Sequence, residues 1–421
     1  MRWLGSACYF AQSPKRRIQS IRTSLRYMHA IRQPFKIVGH AFKIERRIDL
    51  RSDVPLRSWL KRAVHWVVRQ AGAPDGPVEA PHHPSKRRVD LIPGDLSVDI
   101  YSHDVQAGTG PLACWSYVSS GLQKFGHPEV VFSLVKTRGE AVAPELPLKL
   151  IRTIHRSAQG GTILHAGAVH RFPNGEFFGR HIVYIAAQPL PGVEIPNAAI
   201  CAVLVTDDES RASTLFGATR VIARLGAAAG YYPCPPWSDR SRPGIPFDDV
   251  RRASILMNVG PLPGMRSGCS VCQTKEGVVL SVDDESRKHL EGLINGTPDA
   301  FAFALQTAID PFADGCFVWF SGQTQPVAIS PPGSTGQRIC GAFLLITTGQ
   351  DENTVRQAED GFAIILTAAS WRAMKIAVAK GESTRIDAAG MPLLIEFTGP
   401  RGAIEASQLS IRQGPSPRIV H

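Results

Sequence analysis

The chain has 421 residues, of which 43% are hydrophobic and 20% charged, values typical of a globular protein with two or three structural units. No run approaches the ~18 consecutive apolar residues of a transmembrane helix. The net charge of +11 is uneven: residues 1–90 carry 19 Lys and Arg against 6 Asp and Glu, and residues 91–421 carry 28 against 30. The charge therefore indicates a basic tail, and the rest of the chain gives no case for nucleic-acid binding.

The 8 cysteines are spread along the chain, several of them inside apolar runs such as AAICAVLV and GCFVWF. Sparse cysteines in a chain of this length do not indicate a disulfide framework. Most of them are therefore predicted to be buried thiols, in a protein of a reducing, cytoplasmic compartment.

Two basic stretches lie within residues 15–70. In KRRIQSIRTSLRYMHAIR, apolar residues recur at helical spacing and acids are absent, which resembles a mitochondrial transit peptide or a membrane-surface helix. RSWLKRAVHWVVRQ is the second stretch, and a Pro- and Gly-rich linker follows it. Residues 1–89 are predicted to be a basic, partly disordered extension and linker. Contact with an anionic membrane or nucleic acid through residues 15–70, and import into an organelle, stay open as alternatives.

From about residue 90 the pattern changes to short strands and a few helices. GDLSVDIYS, PEVVFSLVK, FFGRHIVYIA and AAICAVLV are predicted strands, and PELPLKLIRTIHRSA is a predicted helix. DDESRASTLFGATRVIARLG is predicted to be one helix that Asp207 or Asp208 caps and Gly226 ends. Its apolar side includes Leu215 and Phe216.

The C-terminal half is rich in predicted strands: RASILMNV, AFAFALQ, GCFVWFSG, TQPVAIS, RICGAFLLIT, GFAIILT and PLLIEF. AASWRAMKIAVAK is a predicted helix. AVLVTDDESR and VVLSVDDESR both read as a strand leading into a helix cap, either by duplication or by convergence on good capping chemistry. The predicted class is α+β, with two strand-rich α/β subunits of mixed sheets packed together, residues 90–243 and 244–415.

Cys269 and Cys272 form the only CxxC motif. A structural zinc site needs four ligands, usually from a second such pair, and a redox motif would open a helix. Here there is no second pair and a strand follows, so the two cysteines are weak candidates for a metal or thiol site and are predicted to serve in packing. No paired carboxylates or nucleophile elbow are evident, and neither an enzyme, a cofactor nor a small-molecule substrate is predicted.

The segment YYPCPPWSDRSRP, residues 231–243, combines aromatic rings, arginines and prolines. Its four prolines exclude a helix interior and a central strand. The favoured interpretation is a rigid brace at the joint between the two units. Aromatic and arginine side chains also dominate interface hot spots, so the alternative is a partner-binding ridge. The candidate partner-binding residues are Tyr231, Tyr232, Trp237, Arg240 and Arg242.

Four segments together resemble a known family: CWSYVSSGLQKFGHPEVVFSLV, RVIARLGAAAGYYPCPPWSDRSRP, ICGAFLLITTG and AEDGFAIILTAASWRAM. In order and approximate spacing, they resemble the C-terminal domain of Smad anchor for receptor activation and endofin over residues 95–400. The first segment and the helix after it are also similar to suppressor-of-fused-type domains. That weaker similarity ends near residue 226.

The first resemblance implies an α+β scaffold or adaptor domain that binds another protein and has no known enzymatic activity. The second implies an inhibitor that sequesters one protein partner, as bacterial immunity proteins do. In the first family the domain follows a FYVE zinc finger. Residues 1–90 contain a single cysteine, so the phosphoinositide binding and endosomal address of that finger are not implied.

Overall fold

The computed structural model describes residues 85–398 except 109, 259–268, 297–301, 332 and 350, together with residues 419–420. All strands and α-helices reported below belong to one compact unit of residues 75–257 and 261–421. The basic stretches of residues 15–70 lie outside the described residues. No helix in the described part of the chain is long and apolar enough to cross a membrane.

Alternating and continuous apolar runs in the first half of the chain form an eight-stranded sheet, called sheet 1. Its strands are β1 (Ser85–Ile92), β2 (Leu96–Ala107), β3 (Gly110–Ser120), β4 (Val130–Val135), β5 (Val169–His170), β6 (His181–Ala186), β7 (Ile200–Val205) and β8 (Trp237–Ser238). The order is β1-β2-β3-β4-β7-β6-β5. β4 pairs in parallel with β7 through residues 130–132 and with β8 through residues 133–134, so β8 continues where β7 leaves the sheet.

The second half of the chain forms two further mixed sheets. Sheet 2 has the order β18-β20-β10-β9-β14-β12-β13-β21, and sheet 3 has the order β11-β15-β17-β16-β19. The strands are β9 (Cys269–Thr274), β10 (Gly277–Asp283), β11 (Ala302–Gln306), β12 (Gly315–Val318), β13 (Val327–Ile329), β14 (Ile339–Gly341), β15 (Phe343–Thr348), β16 (Thr354–Ala358), β17 (Gly361–Leu366), β18 (Thr384–Ile386), β19 (Ala389–Gly390), β20 (Leu393–Thr398) and β21 (Ile419–Val420).

The α-helices pack on the faces of these sheets. They are α1 (Leu146–Gln159), α2 (Asp207–Phe216), α3 (Ala218–Ala229), α4 (Asp248–Ala253), α5 (Asp284–Asn295) and α6 (Ala368–Lys380). Short 3₁₀ turns occur at Gln123–Phe125, Pro173–Gly175 and Ile255–Asn258. One core lies between α1 and sheet 1, and a second is shared by sheets 2 and 3 with α5 and α6. A smaller cluster lies where α3 contacts β12 and β13.

The mixed sheets and packed helices confirm the predicted α+β class. β1 begins at Ser85, five residues before the start that composition suggested. The division of the body near residue 243 stays a prediction, although sheet 1 ends at Ser238 and sheets 2 and 3 begin at Cys269.

The predicted single helix over residues 207–226 is wrong. Gly217, with φ of 91°, separates α2 from α3, and Leu215 is exposed instead of lying on an apolar side. The N-cap is Thr206, not an aspartate, because its side chain and that of Glu209 form a reciprocal capping box. The second helix continues past Gly226 to Ala229.

Two predicted strands also differ from the structure. Within RASILMNV, residues up to Ala253 belong to α4, whose first turn carries Asp248 and Asp249 and so favours a helix start. RICGAFLLIT divides into β14 and β15, which belong to different sheets. The chain turns at Ala342, whose N–H donates to the Asp360 carbonyl instead of to a neighbouring strand of sheet 2.

The repeated DDESR segments both begin a helix after a buried strand, as predicted, but in different registers. Thr206 caps α2, while Asp283, the counterpart of Asp207 in the other segment, caps α5. The caps are therefore displaced by one residue between two otherwise similar stretches.

Candidate functional site

Residues 231–243, called the strap, follow the end of α3 and join sheet 1 beside β4. The Tyr231 N–H donates to the Gly226 carbonyl, and a Cβ atom at position 226 would collide with the carbonyl oxygens of Tyr231 and Pro233. Gly226 is therefore required by the close approach of the strap to the helix, and it does not end the helix. At its centre, Trp237 and Ser238 pair with β4 as strand β8.

The aromatic residues of the strap face inward. The Tyr231 and Trp237 rings meet edge to face with centroids 4.9 Å apart, and Trp237 is only 9% exposed. The Tyr232 hydroxyl donates to the Ala313 carbonyl at 3.0 Å. Burial raises the pKa of Tyr232 well above its usual value, so this phenol is neutral at physiological pH. These rings stabilise the fold and leave little apolar surface for a partner.

The two arginines of the strap are engaged in bidentate ion pairs. The Arg240 guanidinium donates to both carboxylate oxygens of Glu140, at 2.9 and 2.6 Å. Arg242 donates to both oxygens of Glu209, at 2.7 and 2.8 Å, and Arg180 donates to the carbonyls of Arg240 and Arg242. Planar bidentate pairing fixes both partners of each ion pair. The geometry supports a brace, and a partner-binding role for the five strap residues stays a prediction.

Glu209 is the centre of this brace and was not identified from the sequence as a site residue. Its fully buried carboxylate accepts hydrogen bonds from the N–H groups of Thr206 and Ile245 as well as from Arg242. The T-x-x-E spacing of Thr206 and Glu209 is the sequence signature of a capping box, and it predicts the hydrogen bond from the Thr206 N–H. The contacts to residues 242 and 245 depend on the tertiary fold.

A second buried carboxylate, Glu129, organises the first family-like segment. It accepts hydrogen bonds from the Ser119 hydroxyl and from the N–H groups of Gly121, Leu122 and Gln123. The SSG and GHPE parts of that segment are therefore partners in a structural turn. A Cβ atom at Gly121 would collide with the Asp95 carbonyl oxygen.

The third buried network joins α3 to the turn between β16 and β17. Arg220 is completely buried, and its guanidinium donates to the carboxylates of Asp360 and Glu359. The Glu359 carboxylate also accepts from the Ser254 hydroxyl and the Ile255 N–H. Burial opposes the charge on Arg220, yet the two carboxylates raise its pKa above the usual value. This network is a structural ion-pair cluster.

The CxxC cysteines do not share a site. Cys269 and Cys272 lie three residues apart on β9, so their side chains point to opposite faces of sheet 2 and enter different cores. A thiol–thiol hydrogen bond to Cys340, together with burial, raises the pKa of Cys272 well above its usual value. No group of three or more His, Cys, Asp or Glu side chains suited to a metal ion occurs among the residues that the structure describes.

The seven cysteines of the described residues are all buried and form no disulfide with one another, which confirms the prediction of buried thiols for these positions. Burial raises the pKa of Cys234 in the strap to about 12. Cys8 lies outside the described residues.

Among the described strands, β1 is the longest that lies at a sheet edge. It pairs with β2 on one side, and no described strand pairs with its other side. Its first four residues, Ser85 to Arg88, are exposed. The Arg152 guanidinium of α1 donates to the Leu91 carbonyl at 3.4 Å, which covers the C-terminal end of the edge. Residues 85–90 are the part of this edge that no described strand pairs with.

The similarity of this chain to known proteins lies among solved structures. No family model matches the chain, and no curated protein matches it. Drosophila Suppressor of Fused is 12% identical over 71% of this chain and 88% of its own, with a TM-score of 0.30. The structure of the Sufu-Fu complex is 16% identical over 48% of this chain and 96% of its own, with a TM-score of 0.31. Both are structures of the type that the weaker sequence resemblance named, but at these TM-scores neither establishes a shared fold. The resemblance to Smad anchor for receptor activation stays a prediction.

Proposed function

We propose that this protein is a cytoplasmic, non-enzymatic protein-binding domain, and that an extended acidic segment of its partner adds to the outer edge of β1. The observation that carries the proposal is the open edge itself. An edge strand presents a row of unpaired backbone N–H and C=O groups, which a partner strand can complete.

β1 differs in length from the other edge strands. The edges of sheets 1, 2 and 3 are formed by seven described strands. β1 has 8 residues and β11 has 5, while β18 has 3 and β5, β8, β19 and β21 have 2 each. Short edge strands offer little backbone for pairing. Among these edges, β1 offers the longest stretch of backbone to a partner strand.

The charges on β1 indicate the chemistry of the partner. Lys86 lies 3.2 Å from the Asp99 carboxylate and 2.7 Å from Glu194, so its charge is already balanced within the protein. Arg87 projects from the opposite face of the strand, is exposed, and has no ion pair with any residue that the structure describes. An acidic side chain on an added strand would lie opposite Arg87, and a basic one would be repelled.

The edge location is tested by site-specific photo-crosslinking in the full chain. Benzoylphenylalanine is placed at Ser85, an exposed position of β1 that leaves Arg87 in place, or, as control, at Ile376, an exposed position on α6. We expect a partner to be captured from position 85 and not from 376. A peptide of alternating Glu and Val should compete, and one of alternating Lys and Val should not. Equal capture from both positions, or no effect of the acidic peptide, contradicts the proposal.

A charge reversal gives an independent measurement. Arg87→Glu in the full chain should weaken binding of the alternating Glu and Val peptide at least about tenfold in fluorescence anisotropy, because attraction becomes repulsion. Arg372→Glu, at an exposed position of α6, is the matched control and should leave the affinity unchanged. Equal effects of the two variants would show that net charge, and not the β1 edge, governs binding.

A scaffold and a sequestering inhibitor of the suppressor-of-fused type use the same edge in this proposal. They differ in whether a second protein binds while the edge is occupied, which size-exclusion chromatography with light scattering measures once the partner is known. The metal- or thiol-dependent alternative at Cys269 and Cys272 has no supporting geometry in the described part of the chain. Binding of membrane or nucleic acid by residues 15–70 stays a separate prediction.

A further inference from the structure

Three cysteines form a row across the centre of sheet 2. Cys272 of β9 lies directly opposite Cys340 of β14 in an antiparallel pair, and Cys340 is the register partner of Cys316 on β12 in a parallel pair. All three side chains are completely buried in the cluster that α3 and Tyr232 cover. The row brings together residues that are far apart in sequence, and none of the protein's proposed binding chemistry uses it.

The first two thiols of the row are in contact. The sulfur atoms of Cys272 and Cys340 lie 3.7 Å apart. Directly opposed residues of an antiparallel pair have Cα atoms ~4.5–5.5 Å apart. Disulfides span Cα separations of about 4.4–6.8 Å. A bond between these sulfurs therefore requires changes in side-chain torsions and no movement of the strands.

The third thiol is held differently. The Cys316 thiol donates to the Tyr232 hydroxyl at 3.8 Å, and that hydroxyl donates onward to the Ala313 carbonyl. Cys340, in contrast, accepts a hydrogen bond from the Asp310 N–H at 3.2 Å in addition to its contact with Cys272. The strap thus fixes Cys316 through Tyr232, while Cys272 and Cys340 face one another.

We propose that Cys272 and Cys340 are a disulfide-forming site that reacts with hydrogen peroxide or a similarly small neutral peroxide. The sulfur of Cys340 attacks one peroxide oxygen, the O–O bond breaks, and one water leaves with the thiol proton. The sulfur of Cys272 then attacks the sulfur of Cys340, the S–S bond forms, the S–O bond breaks, and the second water takes the Cys272 proton. Two thiols are oxidised by two electrons, and one peroxide is reduced to two waters.

Burial sets the selectivity of this site. Completely buried sulfurs are inaccessible to bulky disulfide reagents, and the raised pKa of Cys272 keeps its thiolate scarce. The proposal therefore requires an oxidant that is small and uncharged. Once formed, the bond closes a loop between residues that are 68 positions apart in sequence, a separation at which a disulfide strongly restricts the unfolded chain.

Peptide mapping of the folded full chain after peroxide treatment tests the site directly. We expect a loss of two hydrogen masses and a cross-linked peptide pair that contains Cys272 and Cys340, reversed by dithiothreitol. The oxidised protein should unfold at a temperature higher by roughly 5 °C or more. Oxidised glutathione, which is bulky and charged, should give no such product in the folded protein.

The variants separate this pair from its neighbour. Cys272→Ser and Cys340→Ser should each abolish the cross-linked peptide and the thermal shift, while Cys316→Ser should retain both. Circular dichroism checks that each variant folds. If a variant does not fold, peptide mapping of the unsubstituted protein still tests the proposal. A Cys316–Cys340 bond, sulfinic acid without a disulfide, or full retention of eight thiols after peroxide treatment would overturn the proposal.

Discussion

Arg220 of α3 donates to the Asp360 carboxylate from a position 140 residues earlier in the chain, and both side chains are buried. Glu359 completes the cluster from the same turn, at a backbone φ of 52°. Charged groups in a protein interior are tolerated only when they are paired and hydrogen-bonded. The cluster thus makes the position of α3 depend on the turn between β16 and β17.

Removing the arginine should be strongly destabilising. Arg220→Met leaves two buried carboxylates without their cation, and we expect the free energy of unfolding to fall by about 3–5 kcal/mol. Urea unfolding followed by circular dichroism measures the change. Arg372→Met on the exposed surface of α6 is the matched control, for which we expect a change within about 0.5 kcal/mol. A loss below about 1 kcal/mol for Arg220→Met would contradict a structural role for the pair.

Glu359 should give the protein a distinctive pH dependence. Burial raises the pKa of its carboxyl above the ordinary 4.5, despite the opposing effect of Arg220. The folded state then binds more protons than the unfolded state just above pH 4.5, so the contribution of Glu359 to stability falls as the pH rises through the folded-state pKa. The free energy of unfolding of Glu359→Gln should therefore increase relative to that of wild type as the pH rises above 4.5.

The measurement is the difference in unfolding free energy between wild type and Glu359→Gln across pH 4 to 7. The exposed Glu382→Gln serves as the control, and its difference should vary little over this range. A wild-type advantage that grows with pH would mean that the ion pair outweighs burial, and the assigned direction of the pKa would be wrong.

Arg242 and Glu209 should be energetically coupled. Their bidentate pair joins the strap to the first turn of α2, and Glu209 is fully buried. A double-mutant cycle with Arg242→Ala and Glu209→Ala should give a coupling of about 1–3 kcal/mol. The same cycle on the exposed pair Arg385 and Asp387 should give less than about 0.5 kcal/mol. Equal coupling energies for the two pairs would refute the role of the strap as a structural brace.

Two glycines on helices should respond oppositely to alanine. Gly226→Ala forces a methyl group into the strap carbonyls, and we expect a loss of about 1–3 kcal/mol. Gly292→Ala in α5 meets no atom within 4 Å, so the higher helix propensity of alanine should add about 0.5–1 kcal/mol. Thermal unfolding of both variants checks the pair, and a neutral Gly226→Ala would show that the strap can move away from α3.

The periodicity of apolar residues was sufficient to predict most of the helices and strands. Apolar runs such as ICAVLV and GFAIIL form β7 and β17, and the amphipathic segment LPLKLIRTIHRSAQ forms α1, because their periodicity matches the face that each element buries. The errors in the predicted helices and strands occur where a single residue ends an element inside a continuous pattern. Gly217 interrupts a continuous helical pattern, and the chain turns at Ala342 within an unbroken apolar run.

The candidate site was harder to predict from the sequence. The prolines and aromatics of the strap indicated a brace, but the acids that bind Arg240 and Arg242 lie far away in sequence at Glu140 and Glu209. Propensity and periodicity are local and contain no information about such pairs. The open edge of β1 also depends on topology, since an edge strand and a central strand can share the same pattern.

The turn at Ala342 has a mechanical consequence. β14 is a central strand of sheet 2 and β15 is a central strand of sheet 3, and this one residue is all the chain between them. A Cβ atom at Gly361 would collide with the Phe343 ring, so the corner is also tightly packed. Sheets 2 and 3 also share one hydrophobic core. We therefore expect the two sheets to unfold as a single cooperative unit.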